Sequence, residues 1–293
     1  MPSTLPDPSV VTHPVSSAGQ IFLEVAVAAA IIVVLIAAAR IQRRWGTSMG
    51  FVVVLGTLLA SGVEVVFNTA ANFWYYQPHQ NSLFSTWDRS LPIWALGSYV
   101  PFYGGLGMIG WLLLERGATR RRMAVFAGAV WLFAVVTEIS LVGVHVYQYY
   151  GPQPYEIARF PIWISAANAG ICASVAVGAA LLSRSLHGWV QWLAVLLGPS
   201  LVSSFLLGTT FPLVSVLHAN HPSTVLLYVG GAVSSVLAVA VCALVLRLVP
   251  ATGLRDSLLP GRAAPPSPPA NRLDRPASGS RDHPTEPIGV RTS

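Results

Sequence analysis

The chain has few charged residues, two cysteines and no lysine. Only 10% of its 293 residues are charged, whereas roughly 25% is typical of a soluble domain. Hydrophobic residues make up 54% of the chain and its mean hydropathy is +0.61. This composition excludes an ordinary soluble protein and indicates one that crosses a membrane several times. The 17 basic residues are all arginine, which we attribute to genomic base composition.

Several common kinds of site have no motif in this sequence. Cys172 and Cys242 lie within apolar segments and form no Cys-x-x-Cys pair, so neither a disulfide framework nor a thiolate metal site is predicted. We expect both to be small buried core residues. The sequence also contains no phosphate-binding glycine-rich loop, no Gly-x-Ser-x-Gly elbow and no dinucleotide fingerprint.

Seven apolar segments are long enough to cross a hydrocarbon core, which takes about 20 helical residues. Helices are expected because a bilayer cannot satisfy the open edge of a sheet. The sequence therefore predicts an all-α fold, a polytopic membrane helix bundle of about seven transmembrane helices. The predicted spans are 21–40, 48–68, 93–114, 123–146, 160–182, 189–209 and 224–247.

The arginines predict the orientation of the chain. With seven spans, all but Arg89 and Arg159 fall on one face, and the positive-inside rule makes that face cytoplasmic. The sequence thus predicts a multi-pass protein of the cell membrane with its N-terminus extracytoplasmic and its C-terminus cytoplasmic. This topology explains the net charge of +6 without nucleic acid. The predicted partners are the lipid bilayer and a lipophilic small molecule, with the oligomeric state left open.

Composition divides the chain into three regions. Residues 1–19 are predicted to be a flexible extracytoplasmic leader, and residues 20–250 the seven-helix transmembrane domain. Residues 251–293 include a proline-rich run at 263–269 and few apolar residues. Because such a segment cannot bury enough surface to fold, we predict a disordered, Pro/Arg-rich cytoplasmic tail. A short proline-rich ligand for a partner protein is the alternative.

One polar pattern occurs twice, at the outer ends of the second and fourth predicted helices. Glu64 is followed at twelve residues by Tyr76, and Glu138 is followed at twelve residues by Tyr150. A Pro-Ile-Trp sequence comes after each, at 92–94 and at 161–163. Carboxylates near a bilayer are costly, so two in matched settings indicate a shared site. The pattern also predicts an internal repeat of these two helices.

The candidate site collects at these outer helix ends. Desolvation near hydrocarbon disfavours the charged form of a carboxyl group, and a protonated carboxyl can act as a general acid on a lipophilic substrate. We therefore predict catalytic roles for Glu64, Glu138 and His145. The predicted substrate-binding residues are Asn68, Asn72, Trp74, Tyr75, Asp88, Arg89 and Tyr149.

Simpler structural explanations exist for the same residues. Tryptophans at membrane ends commonly form interfacial belts, and a glutamate near a helix end can reach interfacial water. Asp88 and Arg89 can form a surface ion pair of little energetic value, and His145 can be a packing residue.

A metal site and a cofactor are not predicted. Histidines and one carboxylate are available at the outer face, but no tight ligand spacing on a helix links them. The residues considered were His79, Asp88, His145, His218 and His221. The acid–base chemistry predicted for the carboxylates needs no metal or organic cofactor.

A family resemblance is carried by residues from the second and third predicted helices and the loop between them. These are Glu64-x-x-x-Asn68, Trp74-Tyr75-Tyr76, Trp87-Asp88-Arg89-Ser90-Leu91-Pro92-Ile93-Trp94 and Tyr99. The pattern resembles the AveC-type spirocyclase family, polytopic bacterial membrane proteins of which some are associated with spiroketal formation in polyketides. The resemblance covers roughly 20–250 and is strongest over 60–105. The duplicated pattern is similar, more weakly, to membrane carotenoid cyclases and hydratases, whose fuller acidic motifs are absent here.

Three functions follow as hypotheses. The resemblance implies a spirocyclase-like enzyme for acid-assisted cyclisation or dehydration of a lipophilic hydroxy-ketone or polyene. A proton-linked carrier or binding protein for a lipophilic metabolite would use the same outer residues. A membrane scaffold would instead use the arginine-rich face and the tail.

Overall fold

In the computed structural model of the protein, residues 11–219 and 222–254 are described. The first ten residues of the predicted leader and residues 255–293 of the predicted tail lie outside the described residues. Contacts divide the chain into two units, Met1–Pro260 and Gly261–Ser293. Every described residue belongs to the first unit.

Helices dominate the described residues. In chain order they are α1 (Ser17–Trp45), α2 (Met49–Ala60), α3 (Glu64–Ala70), α4 (Ile93–Tyr99), α5 (Leu106–Glu115), α6 (Arg120–Gly143), α7 (Trp163–Ser185), α8 (Gly188–Leu217) and α9 (Thr224–Arg247). A short 3₁₀ turn joins α2 to α3, so that the two form one segment, Met49–Ala70. Within residues 11–219 and 222–254, six segments are long and apolar enough to cross a membrane: α1, α2–α3, α6, α7, α8 and α9. The prediction of a helical protein with several membrane-length apolar helices is confirmed.

The third predicted span, 93–114, is helical but broken. Helix α4 passes into a π-helical turn, Val100–Gly105, and then into α5. Pro101 lies in that turn, and proline removes a backbone donor and crowds the preceding turn of an α-helix. Gly104 permits a close approach there, since a Cβ would lie 2.6 Å from Thr57 Oγ1 of α2. A seventh membrane crossing through this segment remains a prediction.

In the described part of the chain, six short strands lie in the connections at one end of the helices. They are β1 (Phe73–Tyr75), β2 (Ser82–Thr86), β3 (Arg89–Pro92), β4 (Tyr147–Tyr149), β5 (Glu156–Ile157) and β6 (Phe160–Pro161). The pairs β2–β3 and β5–β6 are local antiparallel hairpins, whereas β1 pairs with the distant β4. The all-helical prediction omitted these strands because runs of two to five residues show too little alternation to be recognised.

Helix α7 is the central helix of the described fold. In the most apolar stretch of α7, 89% of the residues are buried, compared with 17% in the corresponding stretches of α1 and α6. Small side chains make this possible, because they let neighbouring helices approach closely. A Cβ on Gly110 of α5, for example, would lie 2.7 Å from the Cβ of Ala176. Cys172 of α7 is buried, Cys242 of α9 is half-buried, and both are free thiols.

The helices around the centre pack in sequence. Helix α1 packs on α2, α2 on α8, α8 on α7 and α7 on α6, while α9 covers α7 and α8 from outside. Helices α1 and α6 do not pack extensively on each other within the described residues, and the broken segment α4–α5 packs on α1 and on α7 beside this open side. The space inside the ring contains the candidate site.

Candidate functional site

Both predicted carboxylates line one cavity inside the helix ring. Glu64 of α3 and Glu138 of α6 border the same space of about 410 Å³. This volume lies within the range of roughly 300–1,000 Å³ that small-molecule sites occupy. Most of the lining is apolar or aromatic, contributed by α1, α3, α4, α6, α7, α8 and the β1–β4 pair. The arrangement can enclose a lipophilic molecule beside two carboxyl groups.

Glu64 is buried and accepts hydrogen bonds on both carboxylate oxygens. The Tyr75 hydroxyl donates to Oε1 and the Tyr99 hydroxyl donates to Oε2, each at 2.7 Å. The amide nitrogen of Asn68, one turn further along α3, donates to Oε1 at 2.9 Å when the amide is oriented to satisfy its neighbours. Three donors therefore hold this side chain at the cavity wall.

Glu138 has a sparser environment on the facing helix. It is half-buried on α6, and Tyr147 donates its hydroxyl to Oε2. Among the described residues, Tyr147 is the one donor bonded to this carboxylate. Oε1 thus remains available to a molecule in the cavity.

The β1–β4 pair brings the two tyrosine donors together. Antiparallel register places Tyr75 opposite Tyr147 and Phe73 opposite Tyr149. Since side chains alternate along a strand, these four residues face the cavity, and all four line it. Trp74, between them in β1, is not among the lining residues.

The phenols of this strand pair are held in their protonated form. Burial raises the pKa of Tyr75 well above its usual value, and the nearby Glu64 charge raises it further. Burial, followed by the charge of Glu138, does the same to the pKa of Tyr147 and of Tyr149. These groups therefore serve as hydrogen-bond donors at physiological pH, not as bases.

Arg89 lies behind the cavity, where it clamps the strand pair. Its guanidinium is buried, donates to the Phe73 carbonyl at 2.6 Å, and donates to the Tyr150 hydroxyl at 2.8 Å. The same group stacks over Trp74, with its central carbon 5.0 Å from the ring centroid. Arg89 and Trp74 therefore support the site without bordering it.

Three other predicted residues lie in turns outside the cavity. Asn72, Asp88 and His145 have φ values of 51°, 57° and 55°, the left-handed conformation common for such residues in tight turns. The Asn72 carbonyl accepts the Tyr150 backbone N–H at 2.8 Å. Asp88 and His145 are exposed, and the His145 ring stacks 6.3 Å from that of His13. None of the three borders the described cavity.

The predicted site omitted several polar and aromatic residues of the cavity wall, among them Tyr99, Tyr103, Tyr147 and Asn168. Tyr99 bonds Glu64, Tyr147 bonds Glu138, and the Tyr103 hydroxyl donates to Asn168 Oδ1 at 2.7 Å. The spacing of Tyr99 and Tyr103 was an available signal, because residues four apart share a helix face. Asn168 was visible as a lone amide in an apolar segment.

Neither a search for metal ligands nor comparison with known proteins assigns a function to this cavity. Within residues 11–219 and 222–254, no group of three or more His, Cys, Asp or Glu side chains is placed to hold a metal ion. His221, one of the histidines considered from the sequence, is outside those ranges. Comparisons with protein-family models, curated proteins and solved structures find no match.

Proposed function

We propose that this protein is an integral membrane enzyme that cyclises or dehydrates a lipophilic hydroxy-ketone or polyene by acid catalysis. The observation that carries this proposal is that Glu64 and Glu138, from two facing helices, line one apolar cavity. Each is bonded to a tyrosine of the β1–β4 pair. An acid and a base held on either side of a bound substrate are what a proton-initiated reaction requires.

The hydrogen bonds favour different roles for the two carboxylates. Glu138 is the proton donor, because Oε1 is available while Oε2 is bonded to Tyr147. Glu64 is the acceptor, because Tyr75, Tyr99 and Asn68 all donate hydrogen bonds to its oxygens. Its Oε2 accepts one bond and keeps a second lone pair for the substrate proton. His145, the alternative base from the sequence, is exposed and outside the cavity.

The proposed cyclisation takes one proton from Glu138 and delivers one to Glu64. Glu138 protonates the substrate carbonyl oxygen, and the substrate hydroxyl oxygen attacks the carbonyl carbon to form a C–O bond. The hydroxyl proton passes to Glu64, which gives a cyclic product isomeric with the substrate. For dehydration, Glu64 gives its proton to the new hydroxyl, which leaves as water. The Glu138 carboxylate then takes a proton from the carbon next to the resulting oxocarbenium ion, which gives the dehydrated product and restores both groups. After cyclisation alone, the proton on Glu64 must return to Glu138 before the next turnover, and both groups border the same cavity.

The aromatic wall suits a cationic intermediate of such a reaction. Trp94 lies 5.5 Å from the ring of Tyr75 and stacks 6.4 Å from that of Tyr147, measured between centroids. Aromatic ring faces attract cations through their quadrupole, most strongly where water is excluded. A carbocation or oxocarbenium ion formed beside these rings would be stabilised before the ring closes.

The AveC-type resemblance supplies the reaction class within this proposal. The residues that carry it include Glu64, Asn68, Tyr75, Trp94 and Tyr99, all of which meet at or directly behind the cavity wall. Membership of that family and action on a polyketide are proposed on this basis.

The proposal includes seven crossings, an extracytoplasmic N-terminus and a cytoplasmic C-terminus. Arginines support this orientation, because α1, α7 and α9 each carry arginine in their last turn and α6 begins with three. The proposal also includes an internal duplication. The order helix, strand, hairpin and helix occurs in 49–115 and again in 120–185. The two equivalent strands pair antiparallel, as two halves related by a twofold axis would.

The test is a comparison of lipid extracts by mass spectrometry from producing cells. The strains are wild type, a deletion, Glu64→Gln, Glu138→Gln and the control Glu156→Gln, which alters an exposed hairpin carboxylate. We expect the deletion and both cavity variants to accumulate a precursor that is isomeric with the missing product or heavier by one water. The control should resemble wild type.

Two outcomes would contradict the enzyme. Normal product from both cavity variants, at normal protein abundance, would exclude the carboxylate mechanism. An unchanged set of metabolites that differs only in its distribution between cells and medium would favour a carrier instead.

A further inference from the structure

The cavity is closed at the end that carries the strands. The β1–β4 pair crosses this end. The segment before α1 crosses it too, because the Val15 N–H donates to the Pro78 carbonyl at 3.1 Å and the Ser16 N–H to the His145 carbonyl at 3.4 Å. Val15 is 4% exposed and Leu91 of β3 is 0% exposed, so this cap is packed. An aqueous solute therefore has no open path to the carboxylates from this end of the described chain.

The helix ring is open on the side between α1 and α6. Both helices line the cavity, through Ala26 and Ala30 of α1 and through Phe133 and Glu138 of α6. Ala26 is nevertheless exposed, and Phe133 is 52% exposed. Residues of α1 and α6 that both line the cavity and are exposed mark the side on which it opens between these helices. The Phe133 ring stacks on Phe102 of the π-helical turn at 6.0 Å and forms one edge of that gap.

The surfaces beside the gap are those of lipid-facing helices. Val25 and Val33 of α1 are 63% and 65% exposed, and Leu132 and Val136 of α6 are each 57% exposed. Both helices are among the segments long and apolar enough to span a membrane. An opening between such surfaces leads into hydrocarbon, not into water.

We infer that the cavity exchanges its ligand with the bilayer, through the gap between α1 and α6. The substrate class is therefore a membrane-dissolved lipophilic compound that reaches Glu138 sideways, and a water-soluble metabolite is excluded. The identification of this ligand as a substrate rests on the proposed function. The route itself rests on the cap and on the open side of the ring.

The test uses two carbodiimides that differ in lipid solubility and both modify protonated carboxyl groups. The purified full-length protein in liposomes is treated at mildly acidic pH with dicyclohexylcarbodiimide or with a water-soluble cationic carbodiimide. Modification of Glu138 is followed over time by peptide mass spectrometry. We expect the lipophilic reagent to modify Glu138, and to do so about tenfold faster than the water-soluble reagent.

Variants on opposite faces of α1 locate the route. Ala26→Trp places a large side chain at the gap, while Ala28→Trp places the same side chain on the exposed opposite face. Ala26→Trp should slow modification of Glu138 by about tenfold and Ala28→Trp should leave it unchanged. Equal rates for the two reagents, equal rates for the two variants, or no modification by either reagent would each overturn the inference. Carbodiimide labelling requires no turnover, so the access route can be confirmed even if the metabolite comparison shows no enzyme. A real enzyme whose substrate enters elsewhere would instead pass the metabolite comparison and fail the labelling test.

Discussion

Replacement of Arg89 by methionine tests whether the cap depends on the clamp behind it. Backbone bonds of the β1–β4 pair involve Asn72 and Tyr76. Alternation along an antiparallel pair therefore turns the carbonyl of Phe73 away from β4. Arg89 donates to that carbonyl at 2.6 Å and to the Tyr150 hydroxyl just beyond β4. Methionine fills much of the same space but donates no hydrogen bond.

The expected loss of stability in Arg89→Met follows from the polar and aromatic groups that lose their contact with the guanidinium. A buried carbonyl without a donor costs about 1–3 kcal/mol, and loss of the cation–π contact with Trp74 costs about 0.5–2 kcal/mol. The Tyr150 hydroxyl is only partly buried and can turn to water. We therefore expect Arg89→Met to lower the free energy of unfolding by about 3 kcal/mol. Arg89→Lys should lose less, because lysine keeps the charge and one donor.

The assay is thermal unfolding in detergent micelles, followed by fluorescence of the nine tryptophans. The expected loss corresponds to a fall of roughly 5–10 °C in the unfolding midpoint. Arg159→Met is the matched control, because Arg159 is an exposed arginine of the β5–β6 hairpin loop. If Arg89→Met lowered the midpoint no more than Arg159→Met does, Arg89 would not be a clamp.

Two further predictions concern buried polar groups. Arg184 pairs at 2.8 Å with Glu115, whose side chain is 0% exposed, so Arg184→Met should lower the free energy of unfolding by about 3–5 kcal/mol. The double variant Glu115→Met/Arg184→Met should recover most of that loss in the same thermal unfolding assay. No recovery in the double variant would contradict the pairing. The cap tyrosines Tyr75 and Tyr147 have raised pKa values in the folded state. As the pH rises, these tyrosines lose their protons in the unfolded chain before they lose them in the folded protein. Their contribution to the free energy of unfolding should therefore be complete below about pH 10 and should fall above it. Ultraviolet titration that shows all tyrosines ionising together near their usual pKa would contradict this.

The matched settings of Glu64 and Glu138 indicated a shared site, whereas the sequence did not decide whether they face one cavity or which residues bond them. Two glutamates in apolar segments are costly unless they share a site, and they do line one cavity. The twelve-residue spacing, however, does not identify the bonded tyrosines. Tyr75 bonds Glu64 at a separation of eleven, and Tyr147 bonds Glu138 at a separation of nine. The register between β1 and β4 decides this, and pairing across more than seventy residues leaves no local signal.

Turn residues explain most of the differences between the predicted and the observed site. Asp88 and His145 occupy left-handed turn positions and are exposed, which their polarity alone did not reveal. Arg89, the next residue after Asp88, is buried behind β1. Which of two adjacent charged residues turns inward depends on the hairpin geometry, and the sequence gives only their polarity. Tyr99, by contrast, was already part of the family resemblance, and the structure adds its bond to Glu64.

The most direct test of the acid–base pair is conversion in a purified system. Wild-type protein and Glu138→Gln would be reconstituted in liposomes with the lipid extract of the deletion strain, and the extract would be followed by mass spectrometry. We expect wild type to convert one precursor into a product of equal mass or lighter by one water, and Glu138→Gln to leave that precursor unchanged. Conversion by Glu138→Gln at the wild-type rate, or no conversion by wild type, would contradict an enzyme that acts through this cavity.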